Sequence, residues 1–353
     1  MVGATTRQDG PPRANASPAS RANRLACSLF LTLTVASSTG LSNAQEAQAP
    51  TPLVLERTIP LPRVLGRIDH LAADVQRQRI FVAELGNGSV DAVDLSKGEV
   101  RRIEGLKEPQ GLAYLPDRNE LVIASGGDGT VRFFDANSLA AVGSLTLGDD
   151  ADNVRVDPKT GEVAVGYGSG GLAVVDPARR SLVRTIALPA HPEGFQIDDA
   201  DQKAFVNLPD AHSIAVVDLE KGRLSATFVA SHRANYPMAL NQSSRLVVVY
   251  RSPPRLAVVD ASSGAAREDL PACADADDTF FDDERHRIYV SCGSGEIDVF
   301  EQHGPGYRET GHVATRPGAR TSLFVPALDR LFVAARANST GSDATLLVFR
   351  PIP

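Results

Sequence analysis

Short apolar strands that end in Val-Asp recur along this chain at a nearly fixed interval, and that interval constrains the fold more than any other feature. The clearest copy is Leu172-Ala173-Val174-Val175-Asp176. Counterparts close at Asp94, Asp135, Asp218 and Asp260, giving steps of 41, 41, 42 and 42 residues, and Val299-Phe300-Glu301 adds another step of 41. A seventh copy, Leu347-Val348-Phe349, arrives late. A strand-built repeat of about 40–50 residues is the signature of blades stacked around an axis. Seven copies predict an all-β chain: a seven-bladed β-propeller with four-stranded antiparallel blades.

The second repeat shows the four strands. Gly111-Leu112-Ala113-Tyr114-Leu115 reads as strand a, Leu121-Val122-Ile123-Ala124 as strand b, residues 131–134 as strand c and residues 141–147 as strand d. Turn residues such as Pro116-Asp117-Arg118-Asn119 and Gly126-Gly127-Asp128-Gly129 separate them. Strand b recurs six more times, as in Ile80-Phe81-Val82-Ala83 and Leu331-Phe332-Val333-Ala334, and is apolar at consecutive positions. Unbroken apolarity implies burial on both faces, as stacked blades require. The seventh repeat ends after strand c, while residues 53–61 form a strand with no blade of their own. The N-terminal strand is therefore expected to complete the last blade and close the ring. The extra length of the last repeat falls in a polar stretch at residues 336–344, which reads as an enlarged loop.

Residues 1–49 have a different character. Arg21 and Arg24 precede an apolar run over residues 25–35, followed by small residues with A-x-A-like ends at Ala44 and Ala49. This is the layout of a secretory signal peptide and leader, cleaved near one of those alanines, with residues 50–353 forming a single propeller domain. The run is too short to span a membrane. Export implies a periplasmic or secreted protein. Removing residues 1–44 takes away four arginines and Asp9, moving the formal charge from −7 to −10. An acidic chain without a basic stripe argues against nucleic-acid partners. Cys273 precedes the sixth strand a and Cys292 follows its antiparallel neighbour, so the two are expected to form a disulfide, which an exported protein permits.

The repeat also serves as a ruler. Eleven residues before each strand b lie Asp69, Gln110, Asp152, Glu193, Asn235, Asp277 and Arg320, at the start of strand a beside the central channel. In the fifth blade the a-to-b turn is one residue shorter, which offers Tyr236 in place of Asn235. The next position along contributes His70, Asn153 and Asp278. Loops on the same face add Asp149, Asp150, His191, Asp210, His212, His232, Arg233, Arg251, Asp275 and Arg336. Oxygen ligands suit Ca²⁺ and the histidines suit a transition metal; His191-x-Glu193 and Asp210-x-His212 are the suggestive pairs for a divalent metal. The same set could instead hydrogen-bond a small polar ligand. A plainer role for any single position is that strand-start Asp and Asn side chains accept loop N–H groups and keep the blades in register. A ring of like charge needs compensation, for which Arg320 is available.

The strands Tyr289-Val290-Ser291 and Phe205-Val206-Asn207, each followed about ten residues later by an apolar strand c, resemble those of the YVTN-repeat propellers of the YncE-like kind, exported bacterial proteins. The likeness spans residues 53–350. It implies the seven-bladed fold and, through more distant relatives, the chemistry of lactonases, lyases and a haem domain. The chain has no Trp and no C-x-x-C-H, so neither a Trp-docked quinone cofactor nor covalent c-type haem is expected. No Gly-x-Ser-x-Gly is present, and the Gly-rich stretch at residues 166–171 joins two strands rather than a strand and a helix. The expectation is a non-catalytic, monomeric, exported binding or scaffold protein that presents an acidic channel mouth to a small polar ligand, a metal ion or a protein partner. The alternative is a metal-dependent, lactonase-like hydrolase or lyase using mouth carboxylates and a His.

Overall fold

The structure is a computed structural model and describes residues 51–338 and 341–353. The expected signal peptide and leader lie outside the described residues. Seven sheets of four antiparallel strands follow one another along the chain. Blade 1 runs from Leu71–Asp74 to Val100–Ile103, and blade 6 from Ala276–Asp282 to Gly306–Ala314. The first strand of each blade packs against the first strand of the next, and the seventh, Thr321–Val325, returns to the first, Leu71–Asp74. These seven strands enclose the channel.

Closure occurs where the sequence predicts it. Strand Leu53–Pro60 pairs antiparallel with Thr345–Pro351 and supplies the fourth strand of blade 7. The peg is Ile59, 2% exposed, which packs with Leu61, Phe332 and Val348 on the blade 7 side and Ile80 and Val82 on the blade 1 side. The enlarged loop separates Arg330–Ala335 from Thr345–Pro351. Strand limits differ from the sequence reading by a residue or two, as in Pro109–Leu115 and Ala141–Thr146 of blade 2.

Each gap between blades holds one apolar cluster, seven in all among the described residues. In strand Gly171–Asp176, Leu172 and Val174 pack toward blade 4 with Phe195 and Val206. The alternate residues Ala173 and Val175 pack toward blade 2 with Val131 and Phe133. Side chains in a strand alternate between its faces, so a strand with a blade on either side must be apolar at every position. Complete burial of each Val or Phe in such a gap contributes about 1.5–3 kcal/mol.

The recurring Asp has a local cause. Asp94 Oδ1 accepts the N–H groups of Ser96 at 2.8 Å and Lys97 at 3.0 Å. Asp176 Oδ1 does the same for Ala178 and Arg179 at 2.8 and 3.0 Å. Asp135, Asp218 and Asp260 repeat the motif. A side-chain acceptor at this point stands in for the backbone and turns strand c into strand d. Side-chain donors (Ser96 to Asp94, Lys221 to Asp218, Ser262 to Asp260) and the turn N–H groups (foremost for Asp135 and Asp176) together hold all five carboxyls below the usual carboxylate range. Cys273 and Cys292 form a disulfide, with Cα atoms 5.9 Å apart, across the entry to blade 6.

Candidate functional site

The mouth of the channel narrows to a cavity of about 30 Å³. Its wall is made by Arg67, Asp69 and His70 of blade 1, Asp152, Asn153 and Arg155 of blade 3, Glu193 and Gly194 of blade 4, Tyr236 to Met238 of blade 5, and Asp277 and Asp278 of blade 6. The strand starts converge because glycine permits it. A Cβ on Gly111 would collide with the carbonyl of Asp152 in the next blade, and one on Gly194 with the carbonyl of Tyr236. At about 30 Å³ the cavity has room for a bare cation or a water and none for a drug-sized molecule.

Eight of the residues singled out by the ruler line this cavity: Asp69, His70, Asp152, Asn153, Glu193, Tyr236, Asp277 and Asp278. Among the residues that do not line it are the ruler positions Gln110 and Asn235 and the loop residues Asp210 and His212. Gln110 turns aside, its Nε2 donating to Asp150 Oδ1 at 3.3 Å. Asn235 is fully buried and donates to Asn207 Oδ1 and Ser213 O, both at 3.0 Å, so Tyr236 takes the mouth position in blade 5. The cause is a bulge between Asn235 and Met238, which shifts the alternation of side chains. Exposed His212 accepts from Arg233 Nη1 at 2.9 Å, and Asp210 is also exposed. The suggested metal pair Asp210 and His212 does not join His191 and Glu193; Asp152 does.

Arg320 stands behind the wall, with Nε 2.9 Å from Asp277 Oδ2 and Nη1 2.7 Å from Asp275 Oδ1. Arg251 donates to the Asp277 carboxylate from the other side and lies over the Tyr236 ring, 3.9 Å from its centroid. Two further cations, Arg67 and Arg155, belong to the wall and escaped the sequence reading. Arg67 is 2.8 Å from Asp69 Oδ2. Arg155 lies three residues beyond Asp152, where the other blades place Ala72, Ala113, Gln196, Met238, Phe280 and Leu323. An isolated arginine in that column was the signal.

The third side of the site is His191. Its Nδ1 lies 2.6 Å from Gly168 O. A carbonyl only accepts, so Nδ1 carries a proton, and Nε2 lies on the side of Asp152, whose Oδ2 is 3.9 Å away; Nε2 is protonated while the ring is charged and offers a lone pair once that proton leaves. Ligand atoms of Asp152, His191 and Glu193 all lie within 4.8 Å of one another. Two buried oxygens of the wall, Asp152 Oδ1 and Asn153 Oδ1, have no hydrogen-bond partner among the described residues.

The electrostatics reflect carboxylates withdrawn from water with too few donors. Burial and repulsion from Asp152 push Glu193 up to about 8. Burial raises Asp278 to about 7 and Asp69 to about 6, with His70 opposing the shift in both cases. Contact with Asp152 raises His191 to about 9 against the pull of burial. Burial would lower His70, but Asp69 and Asp278 outweigh it and raise its pKa. A cation among these groups would favour every carboxylate that burial disfavours.

No family model matches this chain, and no curated protein does. Solved structures share its fold. A chain of the mitotic checkpoint complex superposes with a TM-score of 0.73 over 92% of this chain and 99% of that one, at 15% identity. A chain of Kuenenia stuttgartiensis hydrazine synthase gives 0.67 over 87% and 98%, at 14% identity. U3-55K gives 0.71 over 84% and 98%, at 11% identity. Identities this low establish the propeller and nothing about activity. Propellers commonly serve as scaffolds or binding proteins. Among the described residues no helix is long and apolar enough to cross a membrane.

Proposed function

We propose that the protein is an exported binding propeller whose channel mouth holds a divalent cation on Asp152, His191 and Glu193. The observation that carries this reading is the orientation of His191: its Nδ1–H is spent on Gly168 O, which leaves Nε2, on the side of Asp152 and in one cluster with Glu193, to exchange its proton for a cation. A metal-ligating imidazole is ordinarily fixed in this way, by a second acceptor on its other nitrogen. The unpartnered Asp152 Oδ1 and the size of the cavity support the same reading. A mixed carboxylate and imidazole set suits Mn²⁺ or Zn²⁺ better than an all-oxygen calcium cage. With no room for a substrate beside the ion, the site is a binding and bracing device rather than the metal centre of a lactonase-like hydrolase. Export, and kinship with the YVTN-repeat propellers, are part of the proposal and rest on the leader sequence and the strand motifs.

The test is metal analysis of the purified chain, followed by melting scans in chelator and after addition of Mn²⁺ or Zn²⁺. One equivalent of metal, or a rise in midpoint that His191→Ala abolishes, is the expected result. A metal-free protein whose midpoint neither ion moves would sink the reading.

A further inference from the structure

Below the mouth the channel widens. A second cavity of about 450 Å³ lies among the inner strands, within the size range of small-molecule sites. Its wall is mostly apolar, with Ala72, Ala113, Phe280 and Leu323 at the level where the side chain of Arg155 enters. Arg155 lines both cavities and so forms the partition between them, together with His70 and Asp278.

The arginine is poorly provided for. Among the described residues its hydrogen bonding consists of Nη1 to the carbonyl of Val154 at 2.8 Å, and its guanidinium lies over the Phe195 ring at 5.6 Å. Asp278 faces the same space but is engaged elsewhere, accepting the Ser322 N–H at 2.7 Å and lying 3.7 Å from His70 Nδ1. Burial lowers the pKa of Arg155, as expected of a cation short of counter-charge. A second unmet group lines the cavity independently: the hydroxyl of Ser322, a residue only 2% exposed, has no hydrogen-bond partner among the described residues. A guanidinium with free N–H groups at the end of an apolar chamber matches a planar anion attached to an apolar body.

We propose that this lower chamber binds a small organic carboxylate, its carboxylate on Arg155 and its hydrocarbon part against Ala72, Ala113, Phe280 and Leu323. The acidic mouth above repels such a ligand, so entry is from the opposite face, where Val325 and Pro326 border the chamber. The proposal goes beyond cation binding at the mouth and does not depend on it.

The experiment is calorimetric titration of the full chain with hexanoate, hexan-1-ol and hexylamine, each with and without chelator. Saturable binding of one hexanoate per chain is expected, unchanged by chelator, with the alcohol and the amine weaker by about tenfold or more. A charge-assisted hydrogen bond of this kind is equivalent to about ten- to hundredfold in affinity, so Arg155→Gln should lose that much. Ala113→Leu, which fills the chamber and leaves the charge, should also weaken hexanoate. The proposal is overturned if hexan-1-ol binds as well as hexanoate. It is equally overturned if Ala113→Leu or a folded Arg155→Gln keeps wild-type affinity, or if no saturation is reached by about 10 mM. Should Arg155→Gln fail to fold, the alcohol comparison and Ala113→Leu decide by themselves.

Discussion

Replacing Glu193 by Gln should change the pH dependence of stability and leave stability at acid pH almost untouched. Glu193 is held neutral up to about pH 8, against 4.5 for an ordinary glutamate, because burial and Asp152 disfavour its charge. A group whose pKa is raised on folding stabilises the fold below its unfolded value and loses that contribution as pH climbs through the folded value. Between pH 5 and 8 the full loss would be about 1.4 kcal/mol per pH unit, or roughly 4 kcal/mol. Water at the mouth screens part of this, and a contribution of about 2 kcal/mol is the reasonable expectation. The amide introduced by Glu193→Gln would be neutral throughout. Wild type and Glu193→Gln should therefore melt together near pH 5 in chelator, and the variant should be higher by about 4 °C near pH 8.5. His191, also raised, adds a decline above about pH 6.5 that both proteins share. Scanning calorimetry from pH 5 to 8.5 reads this directly. Parallel curves across the range would refute the account of the mouth, because Glu193 would then ionise as it does in the unfolded chain. With Mn²⁺ present at pH 8 the order should reverse, since the ion stabilises only the protein that can ligate it.

Two further outcomes follow from the framework. Replacing Cys273 and Cys292 together by Ser opens a loop of 19 residues and should cost about 3 kcal/mol in denaturant unfolding; an unmoved midpoint would show that the bridge constrains nothing. Ile59→Ala should cost about 2–4 kcal/mol because the peg of the closing strand is lost, whereas the exposed neighbour Thr58→Ala should stay within about 0.5 kcal/mol. Equal effects at the two positions would mean that the N-terminal strand does not hold the ring.

Much of this was written in the order of residues. The Val-Asp repeat sets the number of blades, since each strand c needs a turn acceptor and each blade needs a neighbour on both faces. A seventh repeat without a fourth strand, and a first strand without a blade, require each other. The same period sets the height of Asp69, Asp152, Glu193 and Asp277 on the channel, because equal counts from strand b reach equal levels. What a count cannot supply is the direction of a side chain. One bulged residue buries Asn235 and sends Tyr236 to the mouth. Blade 2, with its own register shift between Pro109 and Leu112, turns Gln110 toward Asp150. Partnership was also beyond the sequence: Asp210 and His212 share the spacing pattern of His191 and Glu193 but lie outside the group that Asp152 completes. The sequence by itself determined the ring, its closure and the level of its charged mouth, because those depend on periodicity and burial. Only the tertiary structure decided which of those charges meet, and that Arg155 stands between two cavities, because such contacts depend on bulges and on the spacing of strands that belong to different blades.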